Sequence, residues 1–417
     1  MQRVLVVLPF YGGSLPIGRY CVSALRQLDC LVDVFEAPDF FGAFGALKEL
    51  QVASDRREYL ENSFLQLVSQ AVQAKVEAFE PDLVLALAQA PLSRQTLKRL
   101  RKDGVPTAMW FVEDFRLFTY WRAFAPYYDI FAVIQKEPFL DELKSLGVDR
   151  ALYLPLAADP AVHRPLELSA AERAVFGSDL SFMGAGYPNR RLAFRHFARR
   201  DFKIWGTEWD DDAVLSPLVQ RGGARISTED TVKIFNASRI NFNLHSSVNT
   251  EELVSGGDFV NPRTFEVAAC GAFQLVDRRS LMPELFGDDD LAVFSSLEEL
   301  REKTDHFLAH PEERAAYARR GMDKVLSGHT YVDRMKTLLA FARETLPLRE
   351  RQRSFVWPEG MSEAMQRDIR TLMDEGGLPS SAGFDDLVRA VRSKSGILAP
   401  LETAVLFLDE WRRHYMK

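Results

Sequence analysis

Short apolar segments alternate with longer amphipathic stretches twice along this chain, and that rhythm leaves few folds open. In the first half the apolar segments are residues 4–8, 31–35, 83–87, 107–111, 130–134 and 152–154. In the second they are 180–183, 203–205, 240–244, 273–276 and 291–294. A strand buried on both faces is apolar throughout, and parallel neighbours need a crossover helix between them. The pattern predicts an α/β protein of two doubly wound, Rossmann-like domains, over residues 1–160 and 161–345. YLPLAADPAVHRPLELSAAER, rich in Pro and polar residues, reads as the linker between them. Ligands of such sheets sit beyond the strand carboxyl ends, so two domains facing each other predict a shared cleft. The 417 residues, 47% hydrophobic, suffice for two cores.

Residues 346–417 have a different texture. The charged LPLRERQRSFVWPEG leads into helical patterns separated by GGLPSSAG and SGILAP, which reads as a helical extension. Leu401, Val405, Leu408 and Trp411 recur at helical spacing, so that face packs either on the body or against a second copy in a homodimer.

Charge and cysteine usage narrow the function classes. With 52 basic and 59 acidic residues the net charge is -7, which offers no general basic field for nucleic acid. The three cysteines are odd in number and lack metal-ligand spacing, which points to a reducing compartment. MQRVLVVLPFYGG lacks the length and cleavage region of a signal peptide, and no apolar run reaches the roughly 18 residues a spanning helix needs. The expectation is a cytoplasmic protein without a transmembrane segment.

The segment DFVNPRTFEVAACGAFQLVD, residues 258–277, carries the densest chemistry. Asn261 can cap a helix, Pro262 fits its first turn and Gly271 ends it before a strand. Open amides at residues 262–264, Thr264 among them, favour a phosphate, and Arg263 adds a charged donor. Glu266, about one turn further in, is placed to accept hydrogen bonds from a pair of sugar hydroxyls. Asp258 lies on the loop before the helix. An ordinary amphipathic helix with a solvated Glu is the plainer alternative.

This segment resembles the signature of the GT-B glycosyltransferases: an acidic residue, seven others, a second acidic residue, then small residues and Gly before a strand. With LMPELFGDDDLAVF and LSFMGAGYPNRR, it is most similar to the CgeB-like subgroup. The resemblance covers residues 1 to about 345 and is strongest over 180–331. It implies a nucleotide-sugar donor, with Glu266 on the ribose and Asp258 at the donor sugar, although Asp stands at 258 where Glu is more usual.

Further candidates are read beside it. Gly12 and Gly13, after the first strand, allow close backbone approach, and by resemblance border the acceptor and donor phosphates; a plain strand-to-helix turn is the alternative. Glu113 and Asp114, at a strand's carboxyl end, can meet acceptor hydroxyls or act as a base, while Asp114 equally suits a helix cap. Gly184, Gly186, Arg190 and Arg191 repeat the Gly-turn logic and suit a diphosphate. By resemblance Lys203, Trp205, Gly206 and Thr207 lead to the base pocket, where a core Trp is the commoner outcome. His245, with Ser246 and Ser247, can bond a phosphate or the transferred sugar. The acidic runs at 210–212 and 288–290 read as solvated turns, so no metal and no cofactor beyond the donor is expected.

The function these readings predict is transfer of a sugar from a nucleotide-diphosphate sugar to a glycan, protein or small-molecule acceptor, with retention suggested by the acidic pair. Two alternatives stand: a nucleotide-sugar epimerase and a non-catalytic GT-B-like protein that binds nucleotide or glycan.

Overall fold

The computed structural model describes residues 2–247, 253–254, 257–347, 360–379 and 382–415. The charged opening of the tail, residues 348–359, and residues 380–381 of GGLPSSAG lie outside these.

All eleven apolar segments form strands: β1 (Arg3–Val7), β2 (Leu31–Phe35), β3 (Leu83–Leu87), β4 (Thr107–Phe111), β5 (Ile130–Val133), β6 (Ala151–Tyr153), β7 (Ser178–Met183), β8 (Phe202–Trp205), β9 (Ser238–Asn243), β10 (Gln274–Asp277) and β11 (Ala292–Phe294). They make two sheets, ordered β2-β1-β3-β4-β5-β6 and β11-β10-β9-β7-β8. Strand β1 pairs in parallel with β2 and β3, and β9 pairs in parallel with β7 and β10, so helices must return the chain between them. Every residue of β1, β3 and β4 is buried, which explains their unbroken apolar reading.

By contact density the chain forms two compact units. The first comprises 1–110, 123–131 and 339–417; the second comprises 111–122 and 132–338. The carboxyl-terminal extension thus belongs to the first unit. Its helices Glu363–Glu375, Phe384–Ser393 and Pro400–Tyr415 share a core that includes Leu372, Met373, Leu387, Val388, Val391 and Val405. The extension is fixed by a buried ion pair, Arg3 Nη1 to Asp386 Oδ1 at 2.6 Å, while Arg3 Nε and Nη2 also donate to the carbonyl of Phe79. Of the four apolar positions on the last helix, Val405 is buried and Leu401 partly so, whereas Leu408 and Trp411 stay about half exposed.

The Pro-rich stretch 153–173 differs from a solvated tether. Leu154, Leu156, Ala157, Ala158, Asp159 and His163 are buried, and Ala158 bridges Thr330. Arg334 explains this: its guanidinium donates to the carbonyls of Pro155 and Leu156, satisfying backbone acceptors that a Pro-rich segment cannot place in a ladder. All three cysteines are buried free thiols.

Candidate functional site

The loops that follow β7, β9 and β10 gather polar side chains within the second unit. Asn261 caps helix Pro262–Ala269, its Oδ1 accepting the Thr264 N–H at 3.0 Å, with Pro262 in the first turn. Buried Thr264 donates its hydroxyl to Asn261 Oδ1 and accepts from Asn243 Nδ2 at 2.9 Å, while Gln274 Nε2 donates to the Thr264 carbonyl at 2.8 Å. Amide side chains of β9 and β10 therefore bolt the helix start to the sheet, and the Thr264 side chain is used in that scaffold.

Glu266 faces two nitrogen bases from this helix. Its Oε1 lies 3.9 Å from His163 Nε2 and its Oε2 lies 3.9 Å from Arg263 Nε. Both distances exceed hydrogen-bond reach, so the carboxylate keeps acceptor capacity for hydroxyl donors while being only 8% exposed. His163 accepts the Asp159 N–H on Nδ1 at 3.1 Å, which puts its own proton on Nε2, toward Glu266. Burial lowers the His163 pKa, so the ring is neutral at pH 7.

Two guanidiniums, Arg263 beside Glu266 and Arg190 within reach of the Arg263 charge, lie at this end of the sheet. Arg263 Nη1 donates to the Met183 carbonyl at the end of β7. Arg190 donates from Nε to the Leu244 carbonyl at 2.9 Å and from Nη1 to that of Ala185 at 3.0 Å. Burial, and after it the positive charge of Arg263, lowers the Arg190 pKa to about 10. Two like charges in one buried neighbourhood are stabilised by an anion, and planar donors suit phosphate oxygens.

His245 is committed elsewhere. Its Nδ1 lies 2.6 Å from Asp277 Oδ1, and its Nε2 accepts the Asn261 N–H at 2.8 Å. An accepting Nε2 requires the proton on Nδ1, so His245 is neutral and Asp277 ionised. Burial lowers the His245 pKa; for Asp277, burial works upward but His245 and then Arg279 outweigh it, holding the carboxyl below its usual range. Arg279 Nη1 stands 3.5 Å from Asp277 Oδ2, and its Nε donates to the Phe259 carbonyl at 3.1 Å. The chain Arg279–Asp277–His245 thus grips residues 259 and 261, the approach to the helix. With both ring nitrogens occupied, His245 positions this loop and has no nitrogen left for a phosphate or sugar.

Gln135 ties Asp258 to the backbone at Phe115, two residues after Glu113. Gln135 Nε2 donates to Asp258 Oδ1 at 2.8 Å, and its Oε1 accepts the Phe115 N–H at 3.0 Å. Glu113 Oε2 accepts from the Tyr120 hydroxyl at 2.8 Å. Asp114 accepts the Arg116 N–H at 2.8 Å, a side-chain turn in place of the helix cap that the sequence suggested.

The remaining candidates hold structure. A Cβ on Gly186 would meet the Glu208 carbonyl oxygen at 2.0 Å, and one on Gly206 would meet that of Gly184 at 2.6 Å, so these glycines let the loops after β7 and β8 touch. Arg191 stitches the same loops, donating to the carbonyls of Gly186 and Glu208. Lys203 donates to Val175 O at 2.7 Å, at the end of helix Ala170–Phe176. Trp205 is buried among Phe176, Met183, Phe235 and Val267. Gly12 and Gly13 lie in the first unit, between β1 and helix Ser14–Gln27, with Gly12 at φ +97°. In the acidic runs, Asp212 is buried and accepts from Arg195 Nε at 2.9 Å, and Asp290 accepts the Gly287 N–H at 2.7 Å.

Sequence reasoning missed Gln135, His163, Asn243, Asp277 and Arg279. Only Asp277 carried a signal, as the charged end of an apolar strand.

Residues 190–340 match a family described as glycosyl transferase-like. The chain is 24% identical over 278 residues to the spore protein CgeB of Bacillus subtilis, covering 62% of this chain and 81% of that protein. Sucrose-phosphate synthase from Thermosynechococcus elongatus superposes with a TM-score of 0.56 at 12% identity, over 82% of this chain and 99% of its own. HepE from Anabaena, solved with UDP-glucose, superposes with a TM-score of 0.55 at 11% identity, over 82% of this chain and 100% of its own. These solved neighbours are GT-B structures, and the fold of this chain is GT-B.

Proposed function

We propose that this CgeB-related GT-B glycosyltransferase moves a sugar from a nucleotide-diphosphate sugar to a glycan, protein or small-molecule acceptor, with retention and without a metal at the donor site. The observation that carries the reading is Glu266, buried on helix Pro262–Ala269 with acceptor capacity to spare, next to Arg263, whose charge also bears on buried Arg190. The ribose hydroxyls of the donor bond to Glu266. The diphosphate sits at the helix start, where the dipole, Arg263 and Arg190 offset its charge. In the reaction the bond from the sugar's anomeric carbon to phosphate oxygen breaks, its electron pair leaves with the nucleoside diphosphate, and the acceptor hydroxyl takes its place and loses a proton. The two fixed guanidiniums supply charge stabilisation where negative charge develops, the work a metal does in other phosphate sites. Asp258 and Glu113 are assigned to sugar and acceptor hydroxyls, and His245 to holding the Asp258–Asn261 loop.

HepE's own complex with UDP-glucose supports a nucleoside-diphosphate sugar as the donor class. The test is to incubate the protein with UDP-, GDP- and dTDP-sugars, with and without EDTA, and follow release of nucleoside diphosphate, assigning the product's anomeric configuration by NMR. Turnover that survives EDTA and retains configuration supports the proposal. Turnover that stops in EDTA, or inverts, contradicts it.

A further inference from the structure

A second cluster of ligand-type side chains lies at the elbow between helices Leu297–Ala309 and Pro311–Gly328, apart from the residues above. His306 lies in the last turn of the first helix, His310 is the joint, and Glu313 lies in the first turn of the second. Spacings of four and three residues would align these on one face of an unbroken helix. Here Pro311 interrupts the helix, yet the three side chains still converge: one ligand atom from each lies within 4.8 Å of the others. His306 Nε2 is 2.9 Å from Glu313 Oε2, and the two imidazole rings stack with centroids 4.1 Å apart. His310 Nδ1 lies 2.6 Å from the His306 carbonyl oxygen. That carbonyl can only accept, so the His310 proton is on Nδ1 and its Nε2 carries the lone pair, the orientation that outer hydrogen bonds impose on metal-ligating histidines.

We propose that His306, His310 and Glu313 form a binding site for a divalent transition-metal ion of the Zn2+ or Ni2+ kind. Two imidazoles and one carboxylate suit these ions and not Mg2+ or Ca2+, which take oxygen donors. Ligand bonds of about 2.1 Å in a tetrahedron require donor separations of about 3.4 Å, so the side chains need close by little more than an ångström. The His306 and Glu313 side chains are about half exposed, which lets them make that movement and leaves the fourth position to water. A bound ion ties the two helices across the break that Pro311 makes. Among the described residues no other group of three His, Cys, Asp or Glu converges in this way.

The test is calorimetric titration of the full chain with ZnCl2, NiCl2 and MgCl2, repeated on His306→Ala, His310→Ala and Glu266→Ala. The expected result is one equivalent of Zn2+ or Ni2+ per chain and no saturable Mg2+ binding. Each histidine variant should lose at least about tenfold in affinity, and Glu266→Ala should match the parent. The ligands are exposed, so circular dichroism of the variants should be unchanged. Absence of Zn2+ binding, or one-equivalent binding that survives the His306→Ala/His310→Ala double variant, overturns the proposal. Because Glu266→Ala removes the donor-site carboxylate, failure here is distinguishable from failure of the glycosyltransferase reading.

Discussion

The two glycine turns after β1 and β7 look alike in sequence and differ in what surrounds them. After β1, a Cβ on Gly13 would meet nothing within 4 Å, and one on Gly12 would reach only Gln89 Oε1 at 3.9 Å. After β7, Gly186 is pressed to the Glu208 carbonyl, Arg191 laces the two loops together, and the neighbouring strand ends carry a buried run of charge from Arg279 to His245. The first turn has room for a ligand or a side chain. The second has none, because its glycines serve backbone contact. A Gly-rich turn therefore reports close approach of something, and only the surroundings tell whether that is a ligand or the protein itself.

The sharpest break of this contrast is at the buried charges. Asp277→Asn removes the buried carboxylate that faces both Arg279 and His245 and should cost about 3–5 kcal/mol, read as a fall in urea midpoint. An unchanged midpoint would show that the network does not hold the second unit. Next, Gly186→Ala should cost about 1–3 kcal/mol by overpacking, because the obstacle is backbone and cannot turn aside. A smaller effect comes from protonation. Burial lowers the pKa of His163, His245 and His329, the last to about 4, with the charges of Arg334 and Lys324 adding to burial there. Below their unfolded value of about 6.5 the unfolded chain binds more protons than the folded one, so stability should be full above that pH and fall steadily toward pH 4. His245→Asn should flatten the slope measured by urea unfolding between pH 7 and 5. Smallest of all, Gly13→Ala should change stability by less than about 0.5 kcal/mol; a large loss would erase the difference between the turns.

The fold was legible because burial on both faces writes central strands such as β1, β3 and β4 as continuous apolar runs, and each of the eleven segments read as a strand forms one. Helix Pro262–Ala269 was legible from its own cap, Asn261, and its Pro. The partners of its side chains were not. Gln135 meets Asp258 across 123 residues, and nothing local in either segment records that bond. His163 sits in a stretch whose prolines read as linker, and the start of that stretch is held by Arg334, far along the chain, which bonds the Pro155 and Leu156 carbonyls. His245 shows the opposite error: a histidine at a strand end looks available until the N–H of Asn261 and the carboxylate of Asp277 are seen to consume both nitrogens. Thr264 and Lys203 were read as ligand contacts for the same reason, since a sequence displays a donor without displaying the carbonyl it already serves.

The central claim is that Glu266 holds the donor. Calorimetric titration with UDP, GDP, dTDP and their sugars, in EDTA, compares the parent chain with Glu266→Ala. The account predicts binding of one nucleotide class without metal and loss of at least about tenfold in affinity in the variant, since hydrogen bonds to a charged acceptor contribute about 1.5–3 kcal/mol. Equal binding by parent and variant, or binding by neither, would contradict it.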